Sequence, residues 1–144
     1  MGRLHNLGEL RIGSKLLEKR RNQTQRSQGM KAQEILDVLS NSDIVLEIAV
    51  IVLVQEPGRQ ALRAIASLKG GYVLHINESH GRDFRSYSYH VRKGDKMVQR
   101  WDNAPHWPNI ETFSHHLHLG SEKNAFECRE IFVRDVLDEM GKII

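Results

Sequence analysis

The sequence has very little cysteine, and that scarcity limits the class of protein. Cys128 is the single cysteine among 144 residues, so no disulfide can form within the chain. Disulfide frameworks belong to oxidising compartments, and we therefore predict a cytoplasmic protein. A buried structural role for Cys128 is favoured over a catalytic one, because free cysteine is among the most often buried residue types.

Long apolar stretches are also missing. The longest one runs from residue 44 to 54, is interrupted by Glu47, and is too short for the roughly 20 residues that cross a bilayer. The first twenty residues carry charge throughout and lack the apolar centre of a secretory signal. Neither export nor membrane insertion is indicated. The 40% hydrophobic and 27% charged content is that of an ordinary globular chain.

The net charge is small, and its position matters more than its size. Residues 1–30 hold seven Lys or Arg and two acidic residues, whereas residues 31–144 hold 14 basic and 16 acidic residues. We therefore predict a flexible basic arm over 1–30, which does not belong to the native protein if translation starts at Met30. Residues 31–144 are predicted to form a single α+β domain.

Hydrophobic periodicity predicts helices at both ends of this domain and strands between them. A short amphipathic helix is expected over 31–40 and a hairpin over 61–78, turning at residues 69–71. Residues 44–54 are expected to form a strand buried on both faces, and periodicity alone leaves a buried helix open there. The C-terminal helix is indicated by apolar residues at helical spacing. These are Cys128, Phe132, Val136, Met140 and Ile143. The fold class predicted is an antiparallel sheet of four to six strands flanked by an N-terminal and a C-terminal helix.

A second hairpin is expected over residues 85–102, with its turn at Lys93-Gly94-Asp95. Direct pairing would place Tyr89 opposite Arg100 and Tyr87 opposite Asp102. A one-residue bulge would instead bring His90 to the charged face. Periodicity alone leaves both registers open.

Histidines are concentrated between residues 90 and 118. Five of the eight, His90, His106, His115, His116 and His118, fall within 29 residues. Imidazole exchanges protons near neutral pH and arginine stabilises a phosphate, so the set suits metal-independent RNA cleavage. No cofactor or metal is needed for that chemistry. The same residues permit a second interpretation, in which His115 or His116 forms a zinc site with His118 and Asp102. In a third interpretation, single imidazoles only cap loop backbone groups.

The second hairpin is also locally basic, with aromatic residues between the cations. Arginine and lysine bind phosphates and aromatic rings stack on bases, so this composition is typical of a nucleic-acid surface.

Three segments resemble a known family. YSYH at 87–90, RWDNAPH at 100–106 and TFSHHLH at 112–118 are similar to the TumE-like toxins of toxin–antitoxin pairs, over about residues 60–144. Ser114 stands where the family pattern has proline, and Trp107 stands where a second histidine often follows His106. The resemblance implies a growth-inhibiting toxin held in check by a DNA-binding antitoxin.

We therefore predict a toxin that binds and cleaves RNA, a possible endoribonuclease. The expected catalytic residues are His106, His116, Arg100, Asp102 and Tyr89. The expected substrate-binding residues are Arg92, Tyr87, His90, Trp101 and His118. Two alternatives stay open: a non-catalytic binding module anchored by Trp101, Trp107 and the tyrosines, and a metal-dependent hydrolase.

Overall fold

A computed structural model describes residues 30–144 of the chain. The predicted basic arm lies outside the described residues, apart from Met30. The helices are α1 (Ala32–Ser40) and α2 (Val133–Ile143). The strands are β1 (Val45–Glu56), β2 (Arg59–Leu68), β3 (Tyr72–His80), β4 (Arg85–Lys93), β5 (Lys96–Asp102), β6 (His116–Leu119) and β7 (Phe126–Glu127). Neither helix has the length and apolar character that a membrane crossing requires.

All seven strands join one sheet in sequence order, and every neighbouring pair is antiparallel. The α+β class and the two flanking helices are confirmed, whereas the predicted four to six strands are too few. The additional strand is β7, whose two residues pair with β6 and carry no periodicity that a sequence could reveal.

The first strand was predicted at the right place but with the wrong environment. β1 forms one edge of the sheet, and Leu46, Val50, Ile51 and Val52 are exposed rather than buried on both faces. A run of β-branched residues indicates a strand but does not distinguish a central strand from an edge strand. Among the described residues β1 therefore presents a long apolar edge.

The hydrophobic core lies between one face of the sheet and the two helices. α1 contributes Ile35 and Leu39, and α2 contributes Val136 and Met140, all of which are fully buried. The strands contribute alternate residues because side chains on a strand point to opposite faces. The fully or nearly fully buried strand residues are Leu62, Ala64, Ala66, Leu68, Leu74, Ile76, Tyr87, Tyr89, Val91 and Trp101.

The C-terminal helix is shorter than its apolar stripe suggested. Cys128 and Phe132 precede α2, and Ile143 is half exposed, so Val136 and Met140 are the members of the stripe that are buried within the helix. Asp135 determines the start, because its carboxylate accepts a hydrogen bond from the Phe132 N–H at 2.9 Å. A carboxylate at this position satisfies one of the free N–H groups of the first turn.

The second hairpin adopts the bulged register of the two that the sequence allowed. The pairing slips between Val91, which lies opposite Gln99, and Arg92, which lies opposite Met97. Gly94 in the turn has a φ of 61°, a conformation that favours glycine. As a result Tyr89 pairs with Trp101 towards the core, while His90 pairs with Arg100 on the other face.

The face of the sheet away from the helices carries polar side chains, and we call it the open face. Its members on β2 to β4 are Arg63, His75, Asn77, Ser88, His90 and Arg92, and those on β5 and β6 are Arg100, Asp102, His116 and His118. The two helices of residues 30–144 pack on the apolar face, so one sheet combines an apolar layer with a polar layer, of which Asp102, His116 and His118 are buried.

Candidate functional site

Asp102, the last residue of β5, is the centre of the candidate site. In the β5–β6 pairing it lies opposite His116, and Arg100 lies opposite His118, so four ionisable side chains share the open face. Asp102 Oδ1 lies 2.9 Å from His116 Nε2, and Asp102 Oδ2 lies 3.6 Å from His118 Nε2. We call Asp102, His116 and His118 the Asp–His cluster. Potential ligand atoms of these three residues all lie within 4.8 Å of one another, so they could hold a metal ion.

Backbone groups hold each member of the Asp–His cluster in place. His116 Nδ1 lies 2.9 Å from the Ser114 carbonyl oxygen, and His118 Nδ1 contacts the Asn124 carbonyl oxygen. The Ala104 N–H donates to Asp102 Oδ1 at 3.0 Å, which forms an Asx-turn. All three side chains are buried, at 2–6% of their full exposure. Each side chain of the cluster therefore has a backbone partner, and the cluster is largely shielded from solvent.

Arg100 connects the cluster to the solvent-facing part of the open face. Its Nε lies 3.1 Å from Asp102 Oδ2, an ion pair that lacks hydrogen-bond geometry, and its NH1 donates to Glu122 at 2.5 Å. The Arg100 side chain is 30% exposed and Glu122 is 60% exposed. A guanidinium in this position can reach a bound anion while it remains paired with Asp102.

A groove of about 370 Å³ runs along the open face beside Asp102. The polar residues that line it are Arg63, Asn77, Glu78, Ser79, Ser86, Ser88, Arg100 and Asp102. Arg63 Nε donates to Asn77 Oδ1 at 3.0 Å, so this cation is held at the groove. The groove thus has guanidinium groups along it and the Asp102 carboxylate at its wall.

Two further histidines lie on the open face as a cross-strand pair. His75 and His90 are opposite each other, with ring centroids 6.1 Å apart. Burial and the charge of Arg92 lower the pKa of His75, and burial and the charge of Arg100 lower the pKa of His90. Both rings are therefore neutral at neutral pH, and each keeps a nitrogen lone pair.

Tyr89 lies on the opposite face of the sheet from the site. It is fully buried, its hydroxyl donates to Glu78, and Arg85 donates to that hydroxyl at 3.0 Å. Arg85 also donates to Glu78 at 2.6 Å and to Glu130 at 2.9 Å. Burial and the negative charge of Glu78 raise the pKa of Tyr89 well above its ordinary value. The surroundings of Tyr89 are those of a structural residue.

Tyr87 and Trp101 are buried on the same core face, at 3% and 2% exposure. The Tyr87 hydroxyl lies 2.8 Å from His115 Nδ1, and the Arg85 guanidinium lies over the Tyr87 ring at 4.0 Å. Burial raises the pKa of Tyr87. His115 is therefore turned away from the two histidines that follow it.

The remaining predicted residues lie apart from the Asp–His cluster. Arg92 is on the open face, whereas His106 is exposed in the loop that follows β5. Trp107 from this loop lies beside His118, with ring centroids 6.2 Å apart. Cys128 is half-buried, and burial raises its thiol pKa, which favours the protonated form over a nucleophilic thiolate.

Sequence reasoning missed the part of the site that lies on β2 and β3. Arg63, His75 and Asn77 were not selected, because they stand outside the histidine-rich segment. The alternation of His75 and Asn77 with buried Leu74 and Ile76 was the available signal, since it marks a strand with one polar face.

The comparisons with known proteins identify a family. A family model described as Toxin TumE matches residues 35–144, which is most of the chain and includes every residue of the Asp–His cluster. Comparison with curated proteins and with solved structures gave no match. The match extends well beyond the three segments on which the resemblance was based. The chain belongs to the TumE toxin family.

Proposed function

We propose that this toxin acts by cleaving RNA on the open face of its sheet, and that an antitoxin protein with a DNA-binding domain restrains it. The observation that carries the proposal is the position of the Asp–His cluster at the wall of a groove lined by arginines. Family membership supports the toxin activity and the existence of a partner, and the geometry of the open face supports RNA as the target.

The first step of the proposal is the binding of a phosphate backbone. Arg63 and Arg100 line the groove, and Arg92 lies on the same face one strand away from Arg100. Phosphate contacts from arginine dominate the affinity of proteins for single-stranded nucleic acid. Serine and asparagine side chains in the same groove can also hydrogen-bond to ribose and base groups.

The second step is transesterification within the bound RNA. The ribose 2′-oxygen attacks the adjacent phosphorus, the bond from phosphorus to the 5′-oxygen breaks, and the products end in a 2′,3′-cyclic phosphate and a 5′-hydroxyl. A base must take the proton from the 2′-hydroxyl, and the departing 5′-oxygen must be stabilised by a proton or by a cation.

Side chains of the open face can fill these roles. His90 is a candidate base, since its ring is neutral and it lies opposite Arg100. Arg100 neutralises the charge that develops on the phosphate oxygens. The Asp–His cluster serves the leaving oxygen in one of two ways: with an imidazole protonated it gives a proton, as the metal-independent mechanism requires, and with both rings neutral it holds a metal ion, as the hydrolase alternative requires.

The burial of three of the four expected aromatic anchors argues against the non-catalytic alternative in the form that relied on them. Trp101, Tyr87 and Tyr89 pack in the core, and only Trp107 of the four expected anchors is more than marginally exposed. Interface hot spots depend on large aromatics that a partner can cover. We therefore leave these three residues, and exposed His106, out of the proposed reaction centre.

The proposal is tested by inducing the full chain from a tightly regulated promoter and examining total RNA while growth is followed. We expect growth arrest with fragmented RNA for the wild type, and neither effect for Asp102→Asn or His116→Ala. Arg129→Ala is the matched control, because Arg129 is exposed beside Asp135, outside the open face.

Two results would contradict the proposal. One is growth arrest with intact RNA in the wild-type culture. The other is undiminished RNA fragmentation by Asp102→Asn or His116→Ala variants that accumulate as folded protein.

A further inference from the structure

We propose that the Asp–His cluster is a binding site for a divalent transition-metal ion such as Zn²⁺, with His116 Nε2, His118 Nε2 and an Asp102 carboxylate oxygen as the three ligands. This inference deepens the proposed function and rests on it only for the role of the ion in RNA cleavage. The site itself is argued from contacts within the cluster.

The orientation of both imidazole rings supports this assignment. Carbonyl oxygens only accept hydrogen bonds, so His116 Nδ1 and His118 Nδ1 donate to Ser114 and Asn124. In a neutral ring the remaining nitrogen, Nε2, then holds a lone pair. Both of these Nε2 atoms point towards Asp102, which carries further lone pairs. A metal ion among the three groups converts that repulsion into coordination.

The same backbone contacts are those that metal-ligating histidines make in general. A ligating imidazole nearly always donates its other N–H to a carbonyl or carboxylate, which determines the tautomer and the direction of the ring. The carboxylate ligand is usually hydrogen-bonded as well, and here the Ala104 N–H donates to Asp102 Oδ1. All three side chains of the cluster therefore have the second contact that a metal site needs.

The ligand atoms are close enough to share one ion, and the 2.9 Å contact between Asp102 and His116 also has the length of a direct hydrogen bond. Zinc binds nitrogen and oxygen at about 2.0–2.2 Å, so two ligands of a tetrahedral site lie about 3.3 Å apart. The separations of 2.9 Å and 3.6 Å from Asp102 to His116 and His118 lie on either side of that value. At 3.6 Å the His118 contact is too long for a hydrogen bond. The two distances end on different oxygens of Asp102, and the ligand atoms lie within 4.8 Å of one another, so side-chain movements are needed to bring one carboxylate oxygen and both imidazole nitrogens to coordination distance.

The charges around the cluster are compatible with a divalent ion next to a phosphate. Asp102 and Glu122 bring two negative charges, and Arg100 brings one positive charge. Three protein ligands leave a tetrahedral ion one open position, as in catalytic zinc sites. Asp102 and Arg100 both line the groove, so a phosphate oxygen held by Arg100 is next to that position. The ion would stabilise the leaving 5′-oxygen as a Lewis acid.

The test is direct measurement of zinc on the purified full chain in the absence of RNA. After treatment with a chelator and addition of Zn²⁺, calorimetry and elemental analysis should give one ion per chain. Asp102→Asn and His118→Gln should each weaken binding at least ~100-fold, the upper range seen when only a supporting residue is lost. His106→Gln is the matched control, since it removes one exposed imidazole from the same half of the chain, and it should keep full affinity.

A second measurement does not depend on the variants folding. Zinc bound by the folded chain raises the melting temperature, and we expect a rise of roughly 5 °C at zinc well above the dissociation constant. Absence of both the temperature rise and zinc uptake overturns the metal site. Equal zinc affinity in the wild type, Asp102→Asn and His118→Gln overturns it as well, because the ion then binds elsewhere.

Failure of the metal site and failure of RNA cleavage are separable. If RNA cleavage persists in excess chelator and the chain binds no zinc, the metal site is wrong and the ribonuclease proposal stands. If the chain binds one zinc ion but leaves RNA intact at every zinc concentration, the metal site stands and the ribonuclease proposal is wrong.

Discussion

At the scale of residues, Asp102 links the buried and the solvent-facing halves of the site. It contacts His116 and His118 on one side, pairs with Arg100 on the other, and lines the groove. The sequence pointed to all four of these residues, because carboxylate, imidazole and guanidinium groups are uncommon together in so short a segment. It could not assign Tyr89, since a tyrosine between polar residues on a strand fits a stacking role and a buried role equally well.

Because Tyr89 is buried, we expect its hydroxyl to contribute to the stability of the fold and not to substrate binding. Tyr89→Phe removes a group that contacts both Glu78 and Arg85, and leaves those buried partners less satisfied. We expect the free energy of unfolding to fall by about 1–3 kcal/mol, as measured by denaturant titration. RNA affinity of the folded variant should not change.

Tyr72→Phe provides the comparison for this change, because Tyr72 is only partly buried and has the Lys93 ammonium over its ring rather than a buried network. A loss of stability as large as that of Tyr89→Phe, or a loss of RNA affinity in Tyr89→Phe alone, would show that the structural role is wrongly assigned.

The neutral histidines on the open face should make the fold sensitive to acid. The pKa values of His75 and His90 are lowered in the folded chain, mainly by burial, from the ordinary value of 6.5. Below pH 6.5 the unfolded chain therefore binds protons that the folded chain does not, and unfolding becomes easier. We expect the free energy of unfolding to decrease between pH 7 and pH 5, measured by denaturant titration at each pH.

Replacing both rings should reduce this dependence. In His75→Asn/His90→Asn the decrease between pH 7 and pH 5 should be smaller than in the wild type. An identical pH profile for the two proteins would mean that these rings do not resist protonation in the folded state.

At the scale of elements, the pairing of β5 with β6 assembles the site. It brings residues 100–102 beside residues 116–118 across a loop of thirteen residues. Local patterns predicted α1, both hairpins and the region of β6, since turn residues and alternation are visible in the sequence. The β5–β6 register depends on contacts between distant residues, and the bulge at Val91 depends on a single extra residue, so neither could be read from periodicity.

The arginines of the open face should determine how RNA binding responds to salt. Each phosphate contact that is lost reduces the slope of log affinity against log salt by about 0.7 for single-stranded nucleic acid. Arg63→Ala and Arg92→Ala should each show such a reduction in titrations with RNA that carries 2′-O-methyl groups and is not cleaved.

Arg129→Ala removes the same charge from outside the open face and should keep the wild-type slope. If the slopes of all four proteins agree, the RNA does not follow the open face. If Arg129→Ala lowers the slope instead, the binding surface is on the side of the helices.

At the scale of the whole molecule, the two faces of the sheet have different roles: one packs in the hydrophobic core, and the other carries the proposed reaction site. Helices α1 and α2 cover the apolar face, which also holds the buried Arg85–Glu78 pair, and the open face carries charged and titratable side chains from five strands. The sequence alone predicted the fold class and the family, because the polar and apolar alternation and the three motifs are local. The groove on β2 and β3 could not be predicted, since it exists only when these strands lie beside β4 and β5.

The central claim is that the open face cleaves RNA at the Asp–His cluster, and the most direct test uses purified chain and end-labelled RNA. Wild-type protein should cut the RNA and leave a 2′,3′-cyclic phosphate and a 5′-hydroxyl, while a matched strand with 2′-deoxyribose at the cut position stays intact. Asp102→Asn, folded and still able to bind the RNA, should not cut. Uncut RNA with wild-type protein that arrests growth, or equal cutting by Asp102→Asn, would contradict the account.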